Sequence, residues 1–180
     1  MSYLKYLLVL VILCLIGLVA MGVNTKEFEY DQEMIVPGRF DSVWTDITLH
    51  DSLILWYPDI KQITMDSGLI GYAPVKYTWT MLSEGKEIEF PVEMTEMDRN
   101  DSVTYVLHLP EFDKKVTWSI KGMVNFNTAV KGSYTLKPNG FFNRIFYSFN
   151  SLNLSYQDLQ ILEALRDRYR EKKKDQASKK

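Results

Sequence analysis

Val75-Lys76-Tyr77-Thr78-Trp79-Thr80-Met81 alternates large apolar with polar side chains at every step. A period of two belongs to an extended strand, whose successive side chains point to opposite faces, and not to a helix of 3.6 residues per turn. The aromatic face predicts burial and the Lys/Thr face predicts solvent. The same pattern spreads outward. Ile88, Phe90, Val92 and Met94 alternate with Glu89, Pro91, Glu93 and Thr95. Val103, Tyr105, Leu107 and Leu109 alternate with Ser102, Thr104 and His108, and Val116, Trp118 and Ile120 with Lys115, Thr117, Ser119 and Lys121. Gly85 and Asn100-Asp101 stand between neighbours as turn residues, and connections this short join only antiparallel strands. Pro91 has no N–H for a ladder, which places its strand at an edge or at a bulge. Ile60 and Ile63 open a short strand expected to turn near Asp66-Ser67-Gly68. Val130, Tyr134 and Leu136 suggest one more, weakened by Gly132.

Either side of this region the period lengthens. Phe28 to Val36 reads as a strand stopped by Pro37-Gly38. Phe40, Val43, Trp44 and Ile47 then fall at i, i+3, i+4 and i+7, the stripe of an amphipathic helix. A second short helix, Ser52 to Trp56, is closed by Tyr57-Pro58. Towards the C-terminus Phe141, Phe142, Ile145, Phe146 and Phe149 recur at helical spacing up to a Ser/Asn-rich break. Ser155 reads as the cap of a last helix, with Asp158 as its capping-box acid and Leu159, Leu162, Leu165 and Tyr169 along one face. The order predicts an α+β fold: a strongly curved antiparallel sheet closed by a long C-terminal helix across its concave face.

The formal net charge of −2 over 180 residues is the sum of three unlike pieces. The first 23 residues hold one charge, Lys5. Residues 24–165 carry 12 basic and 20 acidic residues, and residues 166–180 carry eight basic against three acidic. From Tyr6 to Val23 no residue is charged, and 18 helical residues span roughly 27 Å, close to the hydrocarbon thickness of a bilayer. Tyr3 and Tyr6 stand where interfacial aromatics belong. Residues 1–23 are expected to form a single-pass anchor, with a cleaved signal peptide as the alternative. Residues 24–27 would link it to a domain over 28–171, followed by a basic tail over 172–180. A short N-terminus with Lys5 kept inside leans towards an extracytoplasmic, periplasmic domain. The one cysteine, Cys14, lies in this apolar run, so the domain has neither a disulfide nor a cysteine nucleophile.

Pro37 followed by Val43-Trp44, Leu55-Trp56-Tyr57-Pro58, Val116-Thr117-Trp118-Ser119 and Leu159-x-x-Leu162 stand in the order of the START-like, polyketide-cyclase-like (SRPBCC, Bet v 1-like) helix-grip superfamily, which the chain resembles from about Phe28 to Arg170. The resemblance implies a hydrophobic cavity between sheet and C-terminal helix that holds a lipid or other apolar small molecule. Trp44, Tyr77, Trp79, Phe90, Met94, Tyr105, Trp118, Phe146, Leu159 and Leu162 are its expected lining. The sequence departs from the pattern at the turn from Pro37 to Val43, which is longer, and over Asn125 to Asn139, which matches no element of it.

Catalytic constellations are thin. His50 and His108 are the only histidines; His108 lies on a polar strand phase and His50 in a helix connection. No His-x-x-x-His pair, phosphate loop or dinucleotide turn occurs, so no metal or cofactor is expected. Glu87, Glu89 and Glu93 share one strand face, which reads as solvated surface rather than a carboxylate site. Arg39 and Arg99 are candidates for an anionic headgroup, with plain surface charge as the simpler reading. An acidic domain with a basic helix end argues against nucleic acid as a partner. Three functions remain open: a membrane-tethered binding domain, a cyclase- or hydrolase-like enzyme on the same fold, or a protein-interaction module with a filled core. The oligomeric state is not legible.

Overall fold

The computed structural model describes residues 2–24, 26–83 and 85–178. Thr25 of the expected linker, and Lys179 and Lys180 of the expected tail, lie outside the described residues. Helix α1 (Ser2–Asn24) leads to strand β1 (Phe28–Val36), helices α2 (Phe40–Thr48) and α3 (His50–Leu53), strands β2 (Ile60–Leu69), β3 (Tyr72–Ser83), β4 (Lys86–Asp98), β5 (Ser102–His108), β6 (Phe112–Gly122) and β7 (Thr128–Pro138), and helix α4 (Phe141–Ser178). The strands form one seven-stranded antiparallel sheet in the order β1-β7-β6-β5-β4-β3-β2. Each is joined to its sequence neighbour except β1, which returns to the far edge beside β7. Helix α4 lies across the sheet, packed on β1 and β7, which is the helix-grip arrangement.

Alternation places the core. Val75, Tyr77, Trp79, Phe90, Val92, Met94, Val103, Tyr105, Val116, Trp118, Ile120, Val130 and Tyr134 are buried on the inner face, under Val43 and Ile47 of α2 and Leu162, Leu165 and Tyr169 of α4. The acids on the opposite phase stay outside: Glu87 and Glu89 are exposed, and Glu93 pairs with Lys76 at 3.0 Å.

Four expectations are corrected or refined. First, β2 does not turn at Asp66-Ser67-Gly68 but runs on to Leu69, with register shifts at Met65/Ser67 and Ser67/Leu69. Gly68, at φ +109°, sits in a bulge, a conformation open to a residue without Cβ. Second, Pro91 lies not at an edge but in β4, an interior strand, paired with Thr78 of β3; the other expectation is met, since β4 carries a bulge against β5 between Met94 and Glu96. The β4–β5 ladder begins one residue later, at Val92↔Leu107. Lys86 to Pro91 therefore overhangs β5, and the missing N–H falls where that ladder ends.

Third, Asn125 to Asn139, which matches no element of the resemblance, holds the end of a short 3-10 turn, Val124–Phe126, and β7, the strand expected from Val130, Tyr134 and Leu136. Gly132, expected to weaken this strand, is where the Tyr134 ring needs room: a Cβ there would overlap that ring, which is stacked on Tyr30 at 5.2 Å. Fourth, α4 is unbroken through residues 149–155. Its Ser and Asn residues disfavour helix only mildly, and no Gly or Pro interrupts it. Ser155 Oγ accepts from Gln32 Nε2 of β1 at 2.7 Å instead of capping a new helix.

The far end of α4 is closed by polar contacts. Buried Asp46 of α2 takes Arg168 at 3.3 Å and Lys172 at 3.4 Å. Part of the basic C-terminal charge is thus paired with the domain. Tyr169 lies over Gly38 with no room for a Cβ between them.

Candidate functional site

The expected lining residues divide when placed in the fold. Tyr77, Trp79, Met94, Tyr105, Trp118 and Leu162 are buried in the core, Trp44 packs against it, and Leu159 is half-buried. Trp56 and Tyr57, which follow α3, enter the same space. Ring centroids run Trp56–Trp118 at 5.8 Å, Tyr57–Trp79 at 5.6 Å, Trp79–Tyr105 at 6.1 Å and Tyr105–Trp118 at 5.7 Å. Offset and edge-on rings at these spacings fill the middle of the grip. The Tyr105 hydroxyl donates to the Ile47 carbonyl at 3.2 Å and the Trp56 indole to the Asp46 carbonyl at 2.8 Å, so both polar tips are engaged in tying α2 to the sheet. Phe146 is 57% exposed and lies outside the core.

Open space lies at one end of this packed centre. A cleft of about 390 Å³ runs between the ends of β3, β4, β5 and β6 and the middle of α4. Met81, Ile88, Phe90, Leu107, Leu109 and Phe112 form its sheet wall, and Leu154, Gln157, Gln160 and Ile161 its helix wall. Its volume is within the range of small-molecule sites, and its walls are mostly apolar. Phe90 alone of the ten expected residues lines it. The β4 overhang explains the position: β5 stops short of Ile88 and Phe90, and the gap in the ladder becomes the opening.

Tyr57, Lys114 and Asp158 form the polar end of the cleft. Asp158 is 1% exposed and Lys114 11%, and the two are ion-paired. The Tyr30 hydroxyl donates to the other Asp158 oxygen at 2.5 Å. The Lys114 ammonium also stands over the Tyr134 ring, 5.3 Å from its centroid. A buried carboxylate is costly unless paired, and here both oxygens are occupied. Burial and then the Asp158 charge push the Tyr30 phenol well above its ordinary value; the same two causes raise Tyr57 and Tyr134. These phenols stay protonated at neutral pH.

Asp158 and Lys114 were not among the sequence candidates. Asp158 reads as a capping acid only if a helix begins at Ser155, and its partner Tyr30 lies 128 positions away. The other charged candidates are at the surface. Arg39 lies 3.9 Å from Asp41, and Arg99 stands over Tyr72 at 5.6 Å. His108 pairs with Asp113 at 2.9 Å, half-exposed.

Among the described residues one helix, Lys5–Asn24, is long and apolar enough to cross a membrane. No family model matches the chain, and no curated protein does. Solved structures share its fold. A di-domain aromatase/cyclase, StfQ, from the steffimycin biosynthetic pathway superposes with a TM-score of 0.65 at 12% identity, covering 82% of this chain and 52% of that one. The chain thus spans about half the length of that protein. A START superfamily protein from Mycobacterium smegmatis gives 0.63 at 14% identity over 79% of this chain and 97% of its own. Protein SA2116 from Staphylococcus aureus, of unknown function, gives 0.65 at 15% identity over 84% and 99%. The chain has the START-like helix-grip fold.

Proposed function

We propose that this protein is a membrane-tethered binding domain for a lipid or other apolar small molecule. The ligand lies in the cleft between the ends of β3–β6 and α4, with any polar end group towards Lys114 and Asp158. The single observation that carries this reading is the cleft itself: about 390 Å³, with an apolar sheet wall, a helix wall that mixes Leu154 and Ile161 with Gln157 and Gln160, and a charged pair at one end. Helix α1 holds the domain to the bilayer, and Lys5 on its N-terminal flank favours an extracytoplasmic domain.

The test uses the full chain extracted in detergent. Native mass spectrometry should show a co-purifying apolar mass, and the chain should bind the apolar dye anilinonaphthalene sulfonate. Leu109→Trp, which fills the cleft, should weaken dye binding by about tenfold, or about 1.4 kcal/mol. Unchanged dye binding in Leu109→Trp, with no co-purifying mass, would overturn the proposal.

A second reading has one observation in its favour. A buried carboxylate flanked by a phenol and an ammonium, opening on an apolar cleft, is the kind of arrangement an acid–base enzyme needs. If the domain is such an enzyme, the bound compound changes mass during incubation. Asp158→Asn then stops that change while retention persists.

A further inference from the structure

Helix α4 has two faces, and the outer one changes character along its length. Tyr147, Asp158, Leu162, Leu165 and Tyr169 are buried on the inner side. Phe142, Phe146, Phe149, Leu152 and Tyr156 fall at helical spacing on the opposite side, and all five are exposed, Phe142 to 83% and Leu152 to 84%. From Phe141 to Gln157 the only charged residue is Arg144. Farther along, the same outer face carries Gln160, Glu163, Asp167, Glu171 and Lys174, an ordinary solvated surface. An aromatic stripe of this size is unusual for water-exposed helix.

The stripe begins beside the anchor. Gly22, in the last turn of α1, is buried, and a Cβ there would overlap the Phe141 ring. The sheet register puts the cleft at the same end of the domain. Phe28, which follows α1, pairs with Leu136, and Phe112 of the cleft wall pairs with Pro138, three residues before α4 starts. Phe112 also meets Tyr147 of α4 edge-on at 5.0 Å.

We infer that the outer stripe Phe142, Phe146, Phe149, Leu152 and Tyr156 lies in the lipid–water interface, seating the cleft end of the domain on the bilayer. The occupant is the lipid surface because the stripe is continuous with the helix that crosses it. Aromatic side chains concentrate at membrane–water interfaces, and a helix face of Phe, Leu and Tyr is the kind that buries there. An apolar ligand could then pass between bilayer and cleft without crossing water. The inference rests on α1 crossing the membrane.

The test uses the full chain in phosphatidylcholine vesicles with lipid-attached nitroxides, read by a fluorophore on a single cysteine. Native Cys14 reports on α1. In a Cys14→Ser background, Phe149→Cys reports on the stripe, and Glu171→Cys reports on the charged part of the same face. Tryptophan emission shows that each variant folds, and Phe142→Cys replaces Phe149→Cys if the latter does not. We expect lipid nitroxides to quench position 149 by roughly twofold, as for a side chain ~5–10 Å into the interface, and to leave position 171 unquenched. Quenching at Cys14 without quenching at 149 overturns this inference and leaves the anchor standing. Equal quenching at 149 and 171 overturns it as well. No quenching at Cys14 overturns both the anchor and the inference.

Discussion

The Tyr30 hydroxyl on β1 donates to Asp158 on α4 at 2.5 Å, joining an edge strand to the closing helix across 128 positions of sequence. Lys114, from β6, completes the site by pairing with the other carboxylate oxygen. Three elements distant in the chain thus converge on one buried charge, at the point where the cleft meets the core.

Removing one partner should expose how much this site holds. Lys114→Met leaves Asp158 buried without its countercharge and should cost about 3–5 kcal/mol in urea unfolding. The double variant Lys114→Met/Asp158→Leu removes both charges and should cost less than Lys114→Met alone. A single variant as stable as the wild type would show that the pair is not buried in solution.

Stability should fall in alkali. Tyr30, Tyr57, Tyr105 and Tyr134 all have their phenols raised, with burial the largest cause in each. An unfolded tyrosine loses its proton near pH 10, whereas the folded ones keep theirs. Above about pH 10 the unfolded state therefore binds fewer protons than the native state, and unfolding free energy declines as pH rises; below it these groups have no effect. Chemical unfolding followed from pH 8 to 11 checks this (about one unit or more either side of the phenol value). A flat profile through pH 10 would contradict the buried phenols.

The aromatic centre should behave as a packed core. Trp118→Ala should cost about 3–5 kcal/mol, as for large aromatic truncations in close-packed interiors. Tyr105→Phe loses the hydroxyl's hydrogen bonds to the Ile47 and Thr48 carbonyls and should cost about 1 kcal/mol. Equilibrium denaturation of the two variants separates cavity from hydrogen bond.

Gly132→Ala should destabilise the protein by about 1–3 kcal/mol, because the new methyl overlaps a Tyr134 ring held by its stack on Tyr30. The thermal midpoint of this variant against wild type provides the measurement.

The inner and outer faces of β3 to β6 were legible because a period of two assigns each side chain without knowledge of its neighbours. The helix-grip order followed from that sheet and the helical spacing after Phe141. The cleft was not legible. Tyr77, Trp79, Tyr105 and Trp118 look alike from sequence whether they wall a cavity or fill it; the outcome depends on Trp56 and Tyr57 arriving from elsewhere. Asp158 was hidden for a similar reason. Its role depends on Tyr30 and Lys114, and no local pattern records a partner 128 positions away. Pro91 was half legible: a missing donor signals the end of a ladder, but not which neighbour the strand outlasts.

The unbroken course of α4 makes it a strut. Asp158 follows Phe141 by 17 residues, about 26 Å of helix at 1.5 Å per residue. Since Phe141 abuts the last turn of α1, the polar end of the cleft keeps a nearly constant separation from that turn. A hinge at residues 149–155 would have let the sheet swing relative to α1. Without one, the separation between the charge pair and α1 is built into a single element.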